Sequence, residues 1–72
     1  MDVTFKWRNG TFTLEVGYFT TVREMKETIE SRFHFAVNEQ RLFFQGQELD
    51  DDHNTEYYGI IQGSRLRLDL AN

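Results

Sequence analysis

Apolar and polar residues alternate along most of the first sixteen positions of the chain. A period of two is typical of strands that bury one face. The apolar positions are Val3, Phe5, Trp7, Phe12, Leu14 and Val16. Between the two alternating segments lies Asn9-Gly10, which predicts a two-residue type I′ turn, because that turn needs positive φ at both central residues. The start of the chain is therefore predicted to form a β-hairpin.

The predicted turn also sets which residues of the hairpin face one another. The expected pairs are Arg8 with Thr11, Trp7 with Phe12, Phe5 with Leu14, and Val3 with Val16. In this register the apolar side chains share one face of the hairpin and the polar side chains share the other.

A helical pattern follows a short connection at residues 17–20. Thr21 and Glu24 match a capping box, in which each side chain accepts a hydrogen bond from the other residue's backbone N–H. Apolar residues then recur at helical spacing at Val22, Met25, Ile29 and Phe33. The pattern predicts a helix over residues 22–32. His34 is expected to follow it in the left-handed conformation, which histidine tolerates better than most residues.

The second half of the chain returns to strand patterns. Residues 40–44 and 47–49 are predicted strands, joined by a turn at Gln45-Gly46. Residues 50–63 are polar and rich in turns, with Tyr57, Tyr58 and Ile60 as expected anchors. Strict alternation over 64–70 predicts a last strand. Strands gathered around one helix indicate an α+β fold with a sheet covered on one face.

Composition narrows the class of protein. The chain has 72 residues, of which 39% are hydrophobic, so we expect one folded domain. It has no cysteine, which excludes disulfides, thiolate metal sites and cysteine nucleophiles. This weakly fits a reducing, intracellular compartment, the cytoplasm or the nucleus. The net charge of −4 argues against general attraction to nucleic acid or to anionic membranes.

Five segments together resemble ubiquitin and the ubiquitin-like domains over nearly the whole chain. They are TFTLEV (11–16), TVREMKETIE (21–30), QRLFFQGQEL (40–49), Tyr58 with Ile60, and SRLRLDL (64–70). The resemblance implies a β-grasp fold, in which a mixed sheet of strand order 2-1-5-3-4 packs on one helix. It also implies a single ubiquitin-like domain over residues 1–72, expected to be part of a longer protein.

The chain departs from ubiquitin at positions that matter for function. It ends LDLAN, without the Gly-Gly that a covalent modifier needs. Gln47 and Gln62 stand where ubiquitin has its two best-known chain-building lysines. Arg67 and Asp69 replace a histidine and a valine of ubiquitin's main recognition patch. The resemblance therefore implies a surface that is smaller and more charged than the apolar patch of ubiquitin.

Side-chain alternation predicts which residues face away from the helix. Leu42 should point toward the helix, so Phe43 should point outward. By the resemblance, Phe43 matches the isoleucine at the centre of ubiquitin's patch. Five of the eight Lys and Arg residues are expected on the same face: Lys6, Arg8, Arg41, Arg65 and Arg67. The predicted protein-binding residues are Phe43, Arg41, Arg67, Lys6, Arg8, Gly46, Gln47 and Asp69.

The function predicted from these residues is non-covalent docking to other proteins by a monomeric module. Phe43 is the expected anchor. The expected steering charges are Arg41, Arg67, Lys6 and Arg8, which suit a partner that has an apolar pocket flanked by acidic residues. The resemblance implies ubiquitin-binding proteins or proteasome subunits as partners. Two alternatives remain open: a covalent modifier whose Gly-Gly tail lies beyond Asn72, and a domain that regulates its host by folding back on it.

Other candidate sites have simpler interpretations. Asp50-Asp51-Asp52-His53 lacks the ligand spacing of a calcium loop and is read as a solvated acidic turn. The resemblance implies that Lys26 is partly buried and paired with Asp51. The aromatic residues near the helix ends could form a second patch, although core and loop packing is the preferred interpretation. No nucleophile, cofactor motif or phosphate loop is recognisable, so we expect neither an enzyme nor a cofactor.

Overall fold

Five strands and two α-helices are present in the structure, a computed structural model that describes residues 1–71. In chain order they are β1 (Asp2–Trp7), β2 (Gly10–Glu15), α1 (Val22–Phe33), β3 (Gln40–Phe44), β4 (Gln47–Glu48), α2 (Thr55–Tyr58) and β5 (Arg65–Leu70). The strands form one sheet of order β2-β1-β5-β3-β4. β1 and β5 are parallel and the other pairs antiparallel. This is the predicted β-grasp topology. Asn72, and with it the position where a tail would begin, lies outside the described residues.

The first hairpin forms, but its predicted register is wrong. Trp7 pairs with Gly10 and Phe5 with Phe12, so the two turn residues are Arg8 and Asn9. Only Gly10 has positive φ here (141°), so the type I′ turn at Asn9-Gly10 does not form. Moving each residue's partner by two positions leaves every side chain on its predicted face. The alternation is therefore compatible with both registers and cannot choose between them.

Helix α1 covers one face of the sheet and closes the core. The capping box is confirmed: Thr21 Oγ1 accepts from Glu24 N at 3.1 Å, and Thr21 N donates to Glu24 Oε1 at 2.9 Å. The residues predicted to face inward, Val22, Met25 and Ile29, are fully buried, and Phe33 is half-buried against them. They pack with the inward side chains of the sheet: Val3, Phe5, Leu14, Leu42, Leu66 and Leu68. His34 ends the helix with φ 65°, as predicted.

Lys26 is the charged residue that α1 buries. It is 8% exposed, and its Nζ donates to Asp51 Oδ1 at 2.7 Å. The pairing expected from the resemblance is therefore present. Gln40, at the start of β3, donates from Nε2 to the carbonyl oxygens of Lys26 and Phe35, each at 2.9 Å. These contacts join the middle of α1, and the segment that follows the helix, to the strand that carries Phe43.

The polar segment at 50–63 contains a short helix that the sequence analysis did not predict. Asn54 caps α2 by accepting from Tyr57 N at 2.8 Å. Ile60 is buried and Tyr58 half-buried, so both are anchors as predicted. Tyr57 is 64% exposed and stacks on His53, with ring centroids 3.7 Å apart. The prediction that Tyr57 anchors the loop in the core is therefore wrong, because the capped turn of α2 directs it outward.

The remaining aromatic residues divide between the core and the surface. Phe33 and Phe35 are half-buried in a cluster of rings with Phe12 and Trp7. Tyr18 and Phe19 are 72% and 66% exposed. Core packing thus accounts for the first pair, whereas the second pair stays at the surface.

Candidate protein-binding surface

A row of paired residues crosses four strands on the face of the sheet opposite α1. Lys6 of β1 pairs with Arg67 of β5, Arg67 with Phe43 of β3, and Phe43 with Glu48 of β4. Arg41 and Asp69 form the neighbouring pair between β3 and β5. Together with Arg65, these residues are called the Phe43 face below. Alternation brings them together because Leu42, Leu66 and Leu68 occupy the buried face.

The ring of Phe43 is half-buried although it faces away from the core. The guanidinium carbon of Arg67 lies 4.1 Å from the ring centroid, and that of Arg41 lies 5.2 Å from it. These are cation–π distances. The two arginines therefore hold the ring in place and cover part of it, which leaves a compact apolar centre within a charged surface.

Both of these arginines also form ion pairs on the same face. Arg41 binds Glu48 through two hydrogen bonds, Nε to Oε2 at 3.1 Å and Nη2 to Oε1 at 2.9 Å. Arg67 Nε donates to Asp69 Oδ1 at 3.2 Å. The hydrogen bonds from Arg41 lower the pKa of Glu48 below its ordinary value, and those to Glu48 raise the pKa of Arg41. Much of the charge of Arg41 and Arg67 is thus already balanced.

Glu48 was missed as a member of this surface, although its position could have been found. Gln45 and Gly46 both have positive φ (54° and 81°) and form a two-residue turn between β3 and β4. Counting outward from that turn places Phe44 opposite Gln47 and Phe43 opposite Glu48. The same register puts Gln47 on the opposite side of the ladder from Phe43.

The other predicted binding residues lie around this surface. Arg8 lies in the hairpin turn rather than in β1, and lines a groove of about 360 Å³ with Arg41 and Asp69. Gly46 borders a second groove of about 340 Å³ that also contains Phe43 and Lys6. The structure therefore brings all the predicted residues except Gln47 into one continuous region. Their role in binding remains a prediction.

The acidic turn at Asp50-Asp51-Asp52 forms ion pairs with helix α1. Asp51 contacts Lys26 at 2.7 Å and Arg23 at 3.7 Å. Within residues 1–71, no three His, Asp or Glu side chains are grouped as ligands for a metal ion. No helix in the same range combines the length and apolar character needed to cross a bilayer.

Comparisons with known proteins agree with the fold. The model of the ubiquitin family matches residues 3–71. Ubiquitin-like protein 4A of Xenopus laevis is 38% identical over 69 residues, which cover 94% of this chain and 47% of that protein. NEDD8-like protein RUB3 of Arabidopsis thaliana is 33% identical over 58 residues, 81% of this chain and 74% of that protein. The chain thus spans about half the length of the Xenopus relative.

Proposed function

Because the chain belongs to the ubiquitin family, we propose that it is a non-covalent docking module whose Phe43 face binds proteins of the ubiquitin pathway. Ubiquitin-binding proteins and proteasome subunits are the partner classes that this proposal names. It assigns no catalytic step to the domain, and it places the protein inside the cell, in the cytoplasm or the nucleus. The absence of cysteine is consistent with that compartment.

One observation supports the proposal most directly: an apolar ring is held at the centre of a charged, outward face of the sheet. Phe43 lies between two arginines, so its position is set before a partner arrives. Anchors of protein interfaces are commonly aromatic or arginine residues surrounded by polar contacts. A pre-positioned anchor also loses little conformational freedom when it binds.

The charges around Phe43 define how this surface differs from a purely apolar patch. Arg67 and Asp69 form an ion pair beside the ring, and Arg41 pairs with Glu48. A partner must therefore match both signs of charge around one apolar contact. This favours partners selected by electrostatic complementarity over partners that bind apolar area alone.

The test is binding of purified ubiquitin-binding domains and proteasome ubiquitin-receptor subunits to the wild-type domain and to Phe43→Ala, measured by calorimetry. For an anchor residue we expect a loss of about 2 kcal/mol or more, roughly a 30-fold weaker affinity. Phe19→Ala is the matched control, because Phe19 is 66% exposed but lies in the connection at residues 17–20, outside the strands. Failure of the whole panel to bind, or equal binding by both variants, would overturn the proposal.

A covalent modifier is the second candidate, since one relative is named as NEDD8-like. The coding sequence downstream of codon 72 distinguishes the two candidates. A Gly-Gly shortly after Asn72 would support the modifier, whereas a further domain would support the docking module.

A further inference from the structure

The charged residues that line one groove beside Phe43 are all positive. It has a volume of about 340 Å³ and lies between β1, β5 and the Gln45-Gly46 turn. Its charged lining residues are Lys6, Arg65 and Arg67, and no carboxylate of residues 1–71 lines it. The neighbouring groove at Arg8 differs, because Asp69 forms part of its wall.

The cations of the Phe43 face fall into two groups. Arg41 and Arg67 each form an ion pair within the sheet, at 2.9 Å and 3.2 Å. Lys6 and Arg65 are exposed, and neither forms an ion pair with another residue of the range 1–71. Lys6 is also a direct neighbour of Arg67 in the β1–β5 ladder. Like charges at this spacing repel each other, so an added anion is favoured there.

We propose that this groove is the subsite that receives an acidic side chain of a partner protein, with Lys6 and Arg65 as its anion-binding residues. The inference rests on the docking function proposed above and refines it. The partner segment it specifies has a glutamate or aspartate next to an apolar residue, so that the carboxylate enters the groove while the apolar side chain covers Phe43. Arg41 and Arg67 then act on binding through the ring of Phe43, which they position.

A protein segment fits this groove better than a nucleic acid. Two free cations neutralise only about two phosphates, whereas binding of nucleic acid usually depends on many such contacts. Phe43 is the only ring on this face of the described sheet, and single-stranded nucleic acids usually stack on several. The net charge of −4 also repels a polyanion as a whole.

The experiment is an NMR titration of the ¹⁵N-labelled domain with a capped peptide, Glu-Glu-Leu-Glu-Glu, and with its uncharged analogue, Gln-Gln-Leu-Gln-Gln. We expect the acidic peptide to shift amides around Lys6, Phe43 and Arg65, and to do so less at high salt. Lys6→Gln and Arg65→Gln should each weaken binding roughly threefold, and the double variant about tenfold, as for exposed ion pairs. Arg23→Gln loses the same charge on α1 and should bind like the wild type.

Three results would overturn the inference. They are the absence of saturable shifts with the acidic peptide, an equal loss of binding in Arg23→Gln, and shifts around the groove at lower concentrations of a dT12 oligonucleotide than of the peptide. Different variants test the acidic subsite and the docking function, so one can be refuted without the other. If a pathway partner loses binding with Phe43→Ala but not with the Lys6 and Arg65 variants, the docking function stands and the acidic subsite is refuted.

Discussion

Replacement of Lys26 by methionine should be tolerated far better than replacement by alanine. The side chain is 8% exposed, and its amine reaches Asp51 at 2.7 Å. Alanine removes three buried methylene groups, which at about 0.8 kcal/mol each amounts to about 2.4 kcal/mol. The cavity left behind adds to this loss. Methionine retains most of the buried volume and removes the ammonium group together with its hydrogen bond to Asp51.

The charge itself is expected to contribute little. Desolvation of a buried ammonium offsets much of its attraction to a carboxylate. Asp51 is 35% exposed and also lies 3.7 Å from Arg23, so it remains solvated and partly paired when methionine replaces Lys26. We therefore expect Lys26→Met and Lys26→Ala to differ by about 2 kcal/mol, or about 8–16 °C in Tm for a domain of this size.

Thermal and urea unfolding followed by circular dichroism would measure this difference. The control is the same pair of substitutions at Lys6, the chain's other lysine, which is exposed and should give nearly equal stabilities. Asp51→Asn should destabilise more than Lys26→Met, because it leaves the buried amine without its carboxylate. Equal Tm values for Lys26→Met and Lys26→Ala would refute the reasoning.

Two further predictions concern the Phe43 face and the turn beside it. Arg41→Gln should raise the pKa of Glu48 toward its ordinary value of 4.5, as seen by NMR titration of the carboxyl. Because the folded-state pKa of Glu48 is lowered, the stability it contributes is present above about pH 4.5 and is lost as the pH falls through the folded value, so wild type and variant should converge in acid. Gly46→Ala should lower the free energy of unfolding in urea by about 1 kcal/mol, because φ is 81°, a conformation that strains a residue with a Cβ. A steric clash does not contribute, because no atom lies within 4 Å of the added Cβ. Gly46→Asn should recover part of that loss, and a fully stable alanine variant would contradict the strain argument.

Most of the fold could be predicted because its patterns are local and redundant. Strand alternation identifies the buried face of each strand, and the capping residue Thr21 identifies the start of α1. The hairpin register could not be predicted in this way. Pairing Phe5 with Phe12 or with Leu14 buries the same side chains, so the choice depends on the turn at Arg8 and Asn9. Helix α2 was missed because four residues are too few to show a helical period.

The sequence predicts which side chains of the candidate surface face outward, but it does not predict all of the ion pairs that they form. Alternation correctly places Phe43, Arg41 and Arg67 on the outward face, because orientation depends only on the parity of each strand. Arg67 pairs with Asp69 two residues along its own strand, on the same face by alternation. The pairing of Arg41 instead depends on its distance from Glu48 in the neighbouring strand, which the alternation of one strand does not predict. Glu48 enters the surface only through the register set by the turn at Gln45-Gly46.

That difference changes which residues select a partner. The steering charges predicted from the sequence are Arg41, Arg67, Lys6 and Arg8. In the structure the carboxylate partners of Arg41 and Arg67 cancel most of the long-range field of these two residues, and their guanidinium groups instead hold the ring of Phe43. The cations of this region that form no ion pair within residues 1–71 are Lys6, Arg65 and Arg8, and all three lie on the β1 side of Phe43. An approaching acidic partner would therefore be oriented toward that side, since an unbalanced charge acts over a longer distance than an ion pair.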